Sequence, residues 1–253
     1  MSDLSGLEFS FEEFRSEIQV MSDLAKPLLT QESVRMLQGF EQTVKHLGEQ
    51  RTERRCSLEL EDRNGFGGVR THPSREYERE KVKGKEMSAE LRSLWEVMPI
   101  ASGKKSRPPS RFRLVGVAST RISIKNDCGE ILACWQTDIA DQGSPGCYFH
   151  IQVKQDCNKP PFPDWLSVPR FPSLLVTPMA ALDFVLGELF QKRWLQLTSG
   201  GDYAAQRWRK IQRTRWQRLL KWHLDWVQDS GETCSPWLSI KGARPPADLF
   251  FRS

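Results

Sequence analysis

The 253-residue sequence predicts an α+β fold: an antiparallel β-meander packed by C-terminal helices, preceded by an N-terminal helical pair and a charged linker. Three observations carry this expectation. Apolar residues recur at helical spacing in two runs within the first fifty positions. From Arg111 the text turns to β-branched and apolar runs separated by tight-turn residues. Beyond Thr177 helical spacing returns and lasts to about residue 228. The expected division is 1–48 for the helical pair, 49–110 for the linker with one short helix, and 111–253 for the α+β domain with a basic C-terminal helix.

Ser10-Phe11-Glu12-Glu13 is a Ser-x-x-Glu capping box, in which serine and glutamate each take one of the backbone N–H groups left open where a helix starts. Phe11, Phe14, Ile18, Met21 and Ala25 follow at helical spacing until Pro27 stops the run. A second helix is predicted over 31–47, on the stripe Val34, Leu37, Phe40, Val44 and Leu47, closed by Gly48. From Glu49 to Lys85 charges of both signs crowd out apolar residues, with a Gly-rich turn at 65–68. Such a stretch cannot bury enough surface to offset its ordering entropy, so it reads as a linker. Leu91, Leu94 and Trp95 predict a short helix over 89–97, before the basic, proline-bearing segment ASGKKSRPPSR.

The sheet is predicted to begin with RFRLVGVASTRISI. Asn126-Asp127-Cys128-Gly129 then turns the chain into EILACWQTDI as a hairpin. After a break at 143–146, Cys147, Phe149, Ile151 and Val153 alternate with Tyr148, His150, Gln152 and Lys154, giving one core face and one polar face. A proline-rich stretch up to Thr177 reads as extended. Thr177-Pro178 then opens a helix as N-cap and first-turn proline, carrying Leu182, Val185, Leu186, Leu189, Phe190 and Trp194. Gly200-Gly201 leads to Asp202 as the next N-cap. The tail is expected to be irregular and to end on Leu249-Phe250-Phe251, which needs a groove to occupy.

Charge and composition bound the function. The net charge of +5 gives a mild preference for anionic partners. No run of about 18 apolar residues offers a membrane span, and the acidic start MSDLSGLEFSFEEF lacks the basic, apolar pattern of a signal peptide, so a cytoplasmic protein with no membrane partner is expected. Six Cys show no C-x-x-C spacing and read as packed free thiols. Cys134, Cys147, His150 and Cys157 have the ligand types of a zinc site, but a regular strand sends Cys147 and His150 to opposite faces, so no metal is expected there. Phosphate-loop, dinucleotide and nucleophile-elbow motifs are missing, so no cofactor is expected.

The informative segment is QRWRKIQRTRWQRLLKWHL, with seven Lys or Arg, three Trp and no acid between Asp202 and Asp225. At roughly 100° per residue, Trp208, Ile211, Trp216, Leu219, Leu220, Trp222, His223, Trp226 and Val227 fall on one half of the helix, as a core face. Arg207, Lys210, Arg213, Gln217, Arg218 and Lys221 fall on the other. Arg209 and Arg215 land in the apolar half, where they are expected to reach outward along their stems. A surface helix ordinarily mixes signs so that neighbours four apart attract, and this one does not. Arg207, Lys210, Arg213, Arg218 and Lys221 are therefore candidate contacts for the phosphates of DNA or RNA, or for an acidic protein surface. The primary reading is a non-catalytic nucleic-acid-binding or complex-forming protein.

A catalytic alternative lies in the sheet. Asp138 precedes Gln152-Val153-Lys154 by fourteen residues with a turn between, and Gln152 and Lys154 share one strand face. This pattern resembles the metal-dependent nucleases of the restriction-endonuclease-like superfamily. The resemblance implies a Mg²⁺ ion on the oxygens of Asp138 and Gln152, with Lys154 assisting the attacking water. A third reading is an assembly subunit of a protein complex, with the N-terminal helices and the Phe250-Phe251 tail docking on another chain.

Overall fold

The computed structural model describes residues 6–50, 53–61, 67–77, 85–100, 109–140, 146–163, 170–229 and 235–250. Residues 65 and 66 of the Gly-rich turn, the bulk of the basic linker, the break at 143–145 and Phe251 lie outside the described residues. The fold is α+β.

Strand β1 (Glu8–Ser10) runs into helix α1 (Phe11–Ala25), where the Ser10 hydroxyl accepts the Glu13 N–H at 3.3 Å, half of the expected capping box. Helix α2 (Gln31–Glu49) starts at Thr30, whose hydroxyl accepts the Ser33 N–H. The two helices bury the stripes their spacing predicts: Phe14, Ile18 and Met21 from α1, and Val34, Leu37, Phe40 and Val44 from α2.

Beyond them stand β2 (Cys56–Leu60), β3 (Val69–Arg70), β4 (Met87–Ile100), β5 (Arg111–Asn126), β6 (Ile131–Ile139), β7 (Phe149–Val153) and β8 (Phe171–Pro172). The sheet is antiparallel in the order β2-β4-β5-β6-β7-β8, with β1 on β5 and β3 on β4. From β4 to β8 it is a meander of sequence neighbours. The expected hairpin turn closes at Gly129, whose φ of +81° suits a residue without a Cβ and whose N–H reaches Asn126 O at 3.0 Å. Strand β8 pairs only with Ile151 and His150 and ends on Pro172.

The stretch 49–110 is where pattern and structure part. It supplies β2, β3 and β4, and the helix expected over 89–97 is the middle of β4. The fully buried row there is Ala89, Leu91, Ser93, Trp95 and Val97, a period of two. Leu91, Leu94 and Trp95 also fit helical spacing, and a polar residue at 93 hides the alternation. Ser93 is tolerated in that row because its hydroxyl meets Thr120 Oγ1 across the strand pair at 3.0 Å. Leu94 lies on the opposite, partly exposed face.

Helices α3 (Pro178–Leu189), α4 (Gln191–Ser199), α5 (Tyr203–Asp229) and α6 (Pro236–Gly242) complete the chain. The expected 178–194 helix is two helices broken at Phe190, and the tail contains the short α6 where irregular chain was expected. One hydrophobic cluster runs through α1, α2, the sheet, α3 and α5. At its centre Phe9, Phe14, Trp95 and Phe112 pack ring on ring, with the Phe14 and Trp95 centroids 5.3 Å apart. Phe250 joins them, 5.2 Å from Phe9. The groove that the tail needs is thus inside this chain.

Candidate functional site

Helix α5 is held at its start by Asp202, whose carboxylate accepts the Ala205 N–H at 2.9 Å, and by Trp208 and Leu219 in the core. Near its end the Trp222 ring stands edge-on to Phe149 at 5.8 Å, and Trp226 Nε1 donates to Ser239 O of α6 at 2.8 Å. The strongest anchor is a buried ion pair. Arg215, expected to reach outward, is buried and paired with fully buried Glu17 of α1. Glu17 Oε1 also accepts from Thr177 Oγ1 at 2.7 Å and Gln212 Nε2 at 3.0 Å, so one carboxylate oxygen ties α1, α5 and the N-cap of α3 together. An angular plot of α5 cannot see an acid presented by α1. Arg209, the other exception, donates to Thr198 O and Gly200 O, closing the end of α4.

The remaining cations divide. Lys221 pairs with Asp225 one turn on, at 2.8 Å. Arg207 reaches the Ser16 hydroxyl at 3.3 Å, and Arg218 donates to the Phe250 carbonyl. Lys210 and Arg213 have neither a hydrogen bond nor an ion pair to any described residue, and both are exposed. So of the seven bases on α5, among the described residues, only Arg215 and Lys221 meet a carboxylate. Arg207, Lys210 and Arg218 converge on a cavity of about 280 Å³ between α5 and the start of α1, lined also by Ser10, Glu13, Thr214 and the edges of Phe9, Phe14 and Phe250.

The apolar half of α5 is only partly buried. Trp216, Leu220 and Leu224, spaced four apart, are 41%, 49% and 57% exposed, and Trp216 and Leu220 had been expected in the core. The buried arc of α5 is narrow, centred on Ala205, Trp208, Arg215 and Leu219, because α1, α4 and α6 pack along one side. Arg213 therefore lies beside an exposed indole and two leucines, as rings and cations must for contact on one surface.

On the sheet, Asp138 and Gln152 do come together: Gln152 Nε2 donates to Asp138 Oδ2 at 3.0 Å and Gln136 Nε2 to Oδ1 at 2.8 Å. The residue directly across from Asp138 is His150. Its Nδ1 donates to the Cys147 carbonyl at 2.9 Å, which leaves Nε2 3.5 Å from Asp138 Oδ2. Burial alone would raise the Asp138 pKa, but hydrogen bonds from His150, Gln136 and Ser119 outweigh it and hold the carboxyl below its usual range. Lys154 sits four residues from His150, roughly 13 Å along the strand. Both oxygens of Asp138 are already engaged by protein donors, and Gln152 presents its amide nitrogen, where a hard cation needs oxygens. The sequence points to His150 only as a residue of zinc-ligand type. Its place opposite Asp138 follows from the strand register, which one sequence does not specify when the turn is long.

No family model matches the chain, and no curated protein or solved structure matches it.

Among the described residues no group of three or more His, Cys, Asp or Glu is arranged to hold a metal ion. No helix among them is long and apolar enough to cross a membrane. The Asp138–His150 pair does border an open cleft of about 420 Å³ with the Arg55–Glu96 ion pair and Arg170 on its walls. There Glu96 accepts the Val117 N–H at 2.8 Å and fills the bulge opposite Gly116, so its carboxylate too is occupied by the fold. Of the α5 cations, Lys210 and Arg213 are the ones left with unused capacity among the described residues.

Proposed function

We propose that the protein is a non-catalytic nucleic-acid-binding protein that meets phosphates through α5. The supporting observation is the charge left over on that helix. Seven bases against two acids give α5 a surplus of five, which equals the net +5 of the whole chain. Like charges at helical spacing repel by a few tenths of a kcal/mol per pair, a cost that phosphate contacts would offset. Base-specific reading is not part of the proposal. Arg207, Lys210, Arg213, Arg218 and Lys221 remain the contact set, with Lys210 and Arg213 its members without a partner among the described residues and Trp216 beside Arg213 for stacking.

The experiment is retention of the full chain on single-stranded DNA, RNA and heparin across a salt gradient, compared with the double variant Lys210→Ala, Arg213→Ala. Each lost phosphate contact should flatten the dependence of log affinity on log salt by about one unit. Unchanged retention of the double variant overturns the reading. Incubation with DNA or RNA and Mg²⁺ should leave both intact, and cleavage abolished by Lys154→Ala would instead favour the nuclease alternative with Asp138 and Gln152.

The exposed Trp216, Leu220 and Leu224 favour one second reading, an assembly subunit docking an acidic, apolar partner on the same helix. It predicts that Leu220→Ser, Leu224→Ser removes a protein contact and leaves polyanion retention in place.

A further inference from the structure

We propose that the cavity between α5 and the start of α1 is a binding site for a phosphomonoester carried on a flat apolar body, the chemistry of a terminal nucleotide. The inference rests on the reading that α5 meets phosphates, and it adds a discrete pocket to an open face. Its first support is charge. Arg207, Lys210 and Arg218 bring three positive charges to the cavity, and Glu13 at its mouth brings one negative charge. Arg215 also lines it but is neutralised from behind by Glu17. The surplus is two, which matches a phosphomonoester, near the dianion at neutral pH, better than a carboxylate or a backbone phosphodiester, each a monoanion.

The second support is the arrangement of donors. The arginines can each offer paired N–H groups to phosphate oxygens. Arg218 is pre-placed by its bond to the Phe250 carbonyl, and Arg207 by its bond to Ser16. Thr214 lines the same wall. The third support is the floor. Ile211 and the carbon stems of Arg207, Lys210 and Arg218 give the cavity apolar walls, backed by Phe9, Phe14 and Phe250, which are themselves almost fully buried, so a ligand wholly made of charge would leave that surface unused. A volume of about 280 Å³ is at the small end for ligand pockets and admits one nucleotide at most.

A terminal nucleotide can come from the end of a strand or from solution, and the test separates the two. A 3′-labelled single-stranded oligonucleotide, with and without a 5′-phosphate, is titrated with the full chain at one salt concentration, with AMP and inorganic phosphate as competitors. The phosphorylated strand should bind about tenfold more tightly, the value of one strong charge-assisted contact set. AMP should remove that advantage at concentrations where inorganic phosphate does not. Lys210→Ala, at an exposed position with no partner among the described residues, should erase the difference between strands, while Arg213→Ala, outside the cavity, should weaken both alike. Equal affinity of the wild type for both strands overturns the pocket and leaves the reading of α5 standing. AMP binding that depends on Lys210, with neither strand bound, upholds the pocket as a free-nucleotide site and overturns the nucleic-acid reading. Inorganic phosphate competing as well as AMP overturns the apolar part of the ligand, and no binding of any probe overturns both.

Discussion

Two glycines show how much a single Cβ depends on what it would meet. At Gly68 a Cβ would lie 2.2 Å from the carbonyl oxygen of Leu91, a backbone atom fixed within β4. Gly68→Ala should therefore cost about 3 kcal/mol, the upper part of the overpacking range, in a denaturant melt. At Gly116 the nearest atom is Glu96 Oε2 at 1.8 Å, the end of a side chain that can swing away. Gly116→Ala should cost only the Glu96 clamp on Val117 and Arg55, about 1 kcal/mol at this half-open site. Arg215 belongs at the same scale. Truncating it to Ala strands Glu17 in the core and should destabilise by about 3–5 kcal/mol, whereas Glu17→Leu with Arg215→Met should recover most of that. Equal melting of the single and double variants would contradict this account. Nothing in the spacing of α5 marks Arg215 as different from Arg213, because the difference is a carboxylate almost two hundred positions away.

At the scale of elements, caps and apolar stripes made α1, α2, α3 and α5 readable, since each is decided within a few residues of itself. The first half of the sheet was not. Strand β4 is long, it pairs on both sides, and its outer face is held by charge: Glu90 meets Lys125 and Arg92 at 2.6 Å and Arg70 at 3.0 Å. Read alone, the charges up to Lys85 look like linker, and Leu91, Leu94 and Trp95 look like one face of a helix. Burial acts to raise the Glu90 pKa, but the bonds from Lys125 and Arg92 prevail and hold it below the usual carboxylate value. A carboxyl with a depressed folded pKa stabilises fully above its unfolded value of about 4.3, and that stability is lost as pH falls through the folded value. The wild type should thus lose stability from about pH 4 downward, and Glu90→Gln should reduce that acid dependence. The variant's cost at neutral pH should be about 1–2 kcal/mol, discounted because Arg70 and Arg92 stand partly in solvent.

Across the whole molecule, the class of fold was legible and the contacts between its parts were not. Alternation and turn chemistry specify β5 to β7, but Phe9 of β1 and Phe14 of α1 pack against Trp95 of β4 and Phe112 of β5. A fragment of residues 111–253 should consequently fail to fold, seen as poor dispersion in its NMR spectrum, while the full chain melts in one transition. The candidate binding face shows the same mixture. Its sign and position along the chain were visible in the letters. Its division into a cavity, a stripe and a buried tether depends on what α1 and the tail bring to it. The other side of the sheet bears on solution behaviour. Pro172 ends β8 without an N–H to extend the ladder, and β8 itself is only two residues long. An incoming strand finds no template there, so concentrated samples are expected to resist fibril growth from that flank. Pro172→Val is the change that would open it.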